Sequence, residues 1–119
     1  MEAETRAAMA RTHKLPDGRR VRLRLARARD EASLKALLRR SGPRRGVDAR
    51  ALAHFDPRHE MVVCATSLVD AAQAVVGVGS VDLDGDEPPE VLIDERQDRE
   101  LAGLLHRVLD GTVRARRRG

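Results

Sequence analysis

The chain has 119 residues, 41% hydrophobic and 35% charged, with Phe55 as its one aromatic side chain and a formal net charge of +4. That length suits one small domain and rules out a multidomain reading, while apolar residues gathered in blocks argue against wholesale disorder. The lone Cys64 excludes an internal disulfide and a multi-cysteine zinc site, and no run of about 18 apolar residues is present to span a bilayer, so a cytoplasmic protein is expected.

The first dozen residues are alanine-rich and polar, with no apolar stripe beyond a single pass, and residues 1–14 are expected to form a flexible arm ahead of a domain at 15–119. Structure should begin at Leu15-Pro16-Asp17-Gly18, where proline presets one backbone angle and glycine accepts a positive one. Arg20 to Leu25 alternates strictly, with Val21, Leu23 and Leu25 on one face and three arginines on the other, which predicts a half-buried strand with a basic outer face. From Asp30 the period becomes helical. Leu34, Leu37 and Leu38 follow an N-cap aspartate, and Ser41-Gly42-Pro43 stops the helix, so it should run from about Glu31 to Arg40. A short second helix is expected behind Asp48, with Ala51, Leu52 and Phe55 on one side and Asp56-Pro57 as its end.

Met61 to Leu68 and Ala74 to Leu83 read as an antiparallel hairpin. Gly77 and Gly79 leave one face of its second strand bare, which implies that a backbone, a helix or a ligand comes close there. The loop Asp84 to Pro89 closes another hairpin, and Val91-Leu92-Ile93 make a fourth strand. Leu101, Leu104, Leu105 and Val108 then line one face of a helix that starts near Asp98 and runs into the basic end Arg114 to Arg118. The fold class is therefore α+β, a mainly antiparallel four-stranded sheet packed with helices in the order β-α-α-β-β-β-α. Its core must be aliphatic and its stability modest, or helped by association.

This order, with the opening Leu15 to Arg24, the acidic helix start Asp30-Glu31, the strand Val75-Val76-Gly77-Val78-Gly79 and an apolar strand leading into a helix, resembles the GNAT superfamily of N-acetyltransferases. The resemblance covers the first half of that fold. It implies a transferase that binds acetyl-CoA through an Arg/Gln-x-x-Gly-x-Gly/Ala turn, whose backbone N–H groups hold the pyrophosphate at a helix start. The matching stretch is Gln97-Asp98-Arg99-Glu100-Leu101-Ala102 followed by Gly103, with Leu92 on the strand before it. Glu100 stands where the family has glycine, and the chain has no tyrosine to serve as the family's usual acid. Acetyl transfer to an amine is thus left open, beside a non-catalytic module for dimerisation or protein interaction. Nothing up to Gly119 corresponds to the family's later strands, so the strand Val91 to Ile93 should be a sheet edge, and a homodimer or a protein partner completing the sheet is expected.

The remaining candidates read as structural. Asp82-x-Asp84-x-Asp86 lacks the glycine and the glutamate of a calcium loop and fits a hairpin turn, and no metal is expected. His54 and His59 flank Asp56 as surface residues, His106 borders the last apolar stripe, and Cys64 is a small buried hydrophobe. Asp94 and Glu95, the carboxylates an acyl transfer would call on as a base, read as charges guarding a strand end. Arg20, Arg22 and Arg24, with the arginines of the last helix, are the residues that would contact nucleic acid, a partner disfavoured because no aromatic side chain is there to stack on bases.

Overall fold

The computed structural model describes residues 3–16, 18–41, 47–69, 72–93 and 99–118. It is α+β, with helices on both faces of an antiparallel sheet. The elements are α1 (Ala3–Ala10), β1 (Thr12–Lys14), β2 (Arg20–Leu25), a 3-10 turn (Ala28–Asp30), α2 (Glu31–Arg40), α3 (Ala49–Ala53), β3 (Glu60–Val69), β4 (Ala72–Asp82), β5 (Glu90–Ile93) and α4 (Arg99–Arg118). The five strands lie in sequence order, β1-β2-β3-β4-β5, each antiparallel to its neighbour.

Two expectations are corrected at the start of the chain. The sheet has five strands rather than four, and residues 3–14 carry α1 and β1 where a flexible arm is expected. The cause is tertiary. Thr12, His13 and Lys14 pair with Arg22, Val21 and Arg20, Ala8 and Met9 pack against the core, and His13 Nε2 lies 2.6 Å from the Ala8 carbonyl. The turn between β1 and β2 forms as the sequence requires, with Gly18 at φ 92° donating to the Leu15 carbonyl over 2.9 Å.

Strand alternation divides the core in two. On one face Val21, Leu23, Met61, Val63, Ala65 and Val81 meet Leu101, Leu104, Leu105, Val108 and Leu109 of α4. On the other, Val62, Cys64, Val75, Val78 and Leu92 meet Leu34 and Leu37 of α2 and Ala49, Leu52 and Ala53 of α3. Ala51 is exposed and Phe55 half-buried, so the face expected of α3 is shifted by one turn position. Between Ala65↔Gly77 and Thr66↔Val75 the register skips Val76, a bulge that lets Val76 and Gly77 both serve the α4 side. The buried apolar side chains are all aliphatic or sulfur-bearing. No helix among the described residues is long and apolar enough to cross a membrane.

Candidate functional site

The sequence places its cofactor contacts where β5 leads into α4. Leu92 is buried with the α2 and α3 cluster, so it offers a ligand only its backbone. Gln97 and Asp98 lie outside the described residues, as do Asp94 and Glu95. Arg99 and Glu100 open α4 and are exposed, Leu101 is fully buried, and Ala102 and Gly103 are half-buried. Among the described residues, a Cβ on Gly103 would meet only Arg107 Nη1, at 3.5 Å. The first N–H groups of a helix have no intrahelical acceptor and carry the positive end of its dipole. An anion held by backbone donors fits such an end, and the Glu100 carboxylate in the first turn competes for the same field.

The bare face of β4 is filled by a helix. Gly77 and Gly79 sit under α4, and a Cβ built on them would stand 3.2 Å from Leu105 Cδ1 and 2.6 Å from Leu109 Cδ1. Glycine here admits leucine side chains, not a ligand.

Among the three arginines of β2, Arg24 is engaged. Its Nη1 and Nη2 each donate over 2.7 Å to the two oxygens of Asp30, which also accepts the Arg27 N–H at 2.7 Å. Asp30 stands at the N-cap position of α2 as expected, but its side chain closes the 3-10 turn and makes no capping bond to that helix. The Arg24 guanidinium, more than the Arg27 N–H, holds the Asp30 carboxyl below the usual carboxylate range against the opposing effect of burial. Beside this pair an open groove of about 700 Å³ runs past Met9, Leu25, Phe55 and Pro57. Arg20 and Arg22 are exposed, as the alternation requires.

The chain matches no protein-family model, no curated protein and no solved structure. What its sites can do is therefore read from its own geometry. The two histidines that flank Asp56 in sequence turn to different carboxylates: His54 Nε2 lies 3.2 Å from Glu31 and His59 Nδ1 2.5 Å from Asp84, while Asp56 holds Arg58. Asp82 accepts the Asp84 N–H at 2.9 Å, as a turn aspartate does, and no group of three or more metal-ligating side chains occurs among the described residues. His106 is exposed on α4. Cys64 is fully buried, and burial pushes its thiol up to about 12, which leaves no thiolate for catalysis at neutral pH.

One feature escapes the sequence. Glu60 and Asp82 stand opposite each other across β3 and β4, beside a cleft of about 210 Å³ that Asp48, Glu87 and Glu90 also line. Burial first, and the Asp82 charge second, raise the Glu60 carboxyl above its ordinary value. Strand register was the missing signal, since the two residues lie on opposite arms of a long hairpin.

Proposed function

We propose that this chain is an N-acetyltransferase-related protein of GNAT-like architecture that holds an acyl-CoA at the start of α4, its pyrophosphate on the backbone N–H groups that open the helix. The observation that carries the reading is the order β2-α2-α3-β3-β4-β5-α4, in which β5 at the sheet edge is followed by a 20-residue helix. Residues 97–103 and the backbone of Leu92 are the proposed contacts. The lone buried thiol suits a reducing compartment, and the cytoplasm is the proposed location.

Calorimetry and thermal shift with acetyl-CoA test the reading. Saturable heat and a raised melting temperature are expected, and Glu100→Gly should tighten binding by removing a carboxylate from the anion's field. Absence of both signals at millimolar acetyl-CoA would overturn it, and weaker binding by Glu100→Gly would overturn the placement of the turn. Release of free CoA thiol in the presence of a panel of amines measures transfer separately.

A second reading, a module that assembles through β5, is favoured by the position of that strand. β5 is a sheet edge of four residues that pairs, among the described residues, with β4 alone. An open edge invites a further strand. Light scattering coupled to size-exclusion chromatography at tens of micromolar should then report a dimer, and a sharp monomer peak would count against homodimerisation.

A further inference from the structure

On the α2 and α3 side the sheet is covered unevenly. α2 lies over β4, whereas on the outer strands Lys14, Arg20 and Arg22 are all exposed. The register places Lys14 directly opposite Arg20 and Thr12 opposite Arg22, and alternation along β2 puts Arg20 and Arg22 on this same face, about 7 Å apart by strand rise. None of the three cations forms an ion pair with a described residue, and Arg24, the next arginine on the face, is paired with Asp30, the one buried acid among the described residues. Like charges directly opposite each other destabilise a strand pair, so Lys14 and Arg20 cost stability where they stand. Past Arg22 the row is buried at Thr66 and Val75 before it reaches α2. Arg22 pairs with Thr66 and Thr66 with Val75, and the Val75 carbonyl accepts from Arg40 Nη2 at 3.3 Å.

We propose that this strip is a binding surface for the phosphodiester backbone of a duplex nucleic acid, with Lys14, Arg20 and Arg22 as phosphate contacts and Arg40 at its inner border. The strip carries cations on a paired ladder, with Thr12 as a further hydroxyl donor. That composition suits a rigid polyanion. It supplies no exposed apolar side chain to anchor in a lipid interface and no aromatic ring on which single-stranded bases could stack. Duplex binding through phosphate is independent of sequence and driven by counterion release, so it reads as salt dependence rather than as a recognition motif. The strip lies on the face opposite α4, and the inference does not rest on the acyl-CoA reading.

Fluorescence anisotropy with a labelled DNA duplex, and in a parallel arm an RNA duplex, over a salt series tests it on the full chain. Wild type should bind at low salt with a slope of log K on log salt of about −3, from three phosphate contacts at roughly 0.9 each. The pair Arg20→Ala and Arg22→Ala should weaken binding about tenfold or more and flatten the slope by about 2. The pair Arg107→Ala and Arg114→Ala, the same charge loss at exposed positions of α4, should leave both quantities nearly unchanged. Lys14→Gln provides a single change should the β2 pair fail to fold, with an expected slope change of about 1. Binding of either duplex with these losses supports the strip. No binding of either duplex at low salt, equal losses from the α4 pair, or capture of phosphatidylserine vesicles in place of duplex would overturn it.

Discussion

On the face under α4, the strand rows run Leu23, Ala65, Gly77, Ile93 and Leu25, Val63, Gly79, Val91, small residues flanked by large ones. The rows on the opposite face run Arg24, Cys64, Val78, Leu92 and Arg22, Thr66, Val75. The first face is fitted by volume: Leu101, Leu105 and Leu109 settle into the space that two missing Cβ atoms leave. The second is apolar under α2 and α3 and charged beyond them, where Arg24 is tied to Asp30 and Arg20 and Arg22 meet solvent. Substitutions on the first face should therefore act through packing and ignore pH, and those at the margin of the second should act through charge and follow it.

The largest effect expected at the charged margin is from Asp30→Ala. Asp30 is 4% exposed, and its loss strands the Arg24 guanidinium, the Arg27 N–H and the 3-10 turn together. Breaking a buried pair from one side costs about 3–5 kcal/mol, and the partial exposure of Arg24, 27%, brings the expectation down to about 2–3 kcal/mol in urea unfolding at pH 7. The folded carboxyl lies below its unfolded value, so its stabilisation is complete above the ordinary aspartate range and drains away as pH falls through the folded value. Wild type should lose stability below about pH 4, and Asp30→Asn should flatten that part of the profile. An unchanged acid limb in Asp30→Asn would remove the pair from the account.

On the packed face, Gly79→Ala should cost about 1–3 kcal/mol, because the new methyl meets Leu109 Cδ1 at 2.6 Å and Leu109 is fully buried with little room to turn. Combined with Leu109→Ala the two costs should be markedly less than additive, and strict additivity would mean that the contact does not decide the glycine. The opposite sign is expected within α4. Among the described residues nothing outside the helix's own backbone lies within 4 Å of a Cβ on Gly111, so Gly111→Ala should raise stability by about 0.5–1 kcal/mol through helix propensity alone. A loss there would point to a contact that the chain makes with something else.

The same contrast explains how much could be read in advance. β2, α2 and α4 were legible because their apolar residues repeat at 2.0 or 3.6 residues, and α2 runs from Glu31 to Arg40 as the pattern states. α1 and β1 were not, because Thr12-His13-Lys14 carries no pattern of its own and forms a strand only when β2 supplies partners. Asp30 illustrates a local signal overridden by a distant one. It precedes a helix in a capping position, yet an arginine six residues earlier claims both its oxygens. The helix start near Asp98 agrees with α4 opening at Arg99, and the bare face of Gly77 and Gly79 is a place of close approach, as the spacing of the pair implies. Which of backbone, helix or ligand approaches depends on where α4 packs, a tertiary fact that spacing does not encode.

The smallest effect expected is at Glu60, and it is the one most diagnostic of charge. Burial and the facing Asp82 raise the Glu60 carboxyl in the folded chain, so the folded state holds its proton more tightly than the unfolded one. Stability then falls as pH rises through the folded value, and the cost is carried in full at neutral pH. Glu60→Gln keeps the size and removes the charge. It should raise the melting temperature at pH 7 by about 1–3 °C, a shift equivalent to a few tenths of a kcal/mol in a domain of this size, because the side chain is only partly buried. Below the ordinary glutamate range the wild-type side chain is protonated in both states, and the gain should vanish near pH 4. An equal gain at pH 4 and pH 7 would assign the effect to the amide's own contacts. A loss at pH 7 would mean that a cation shelters Glu60, and the acidic cleft would have to be redrawn around it.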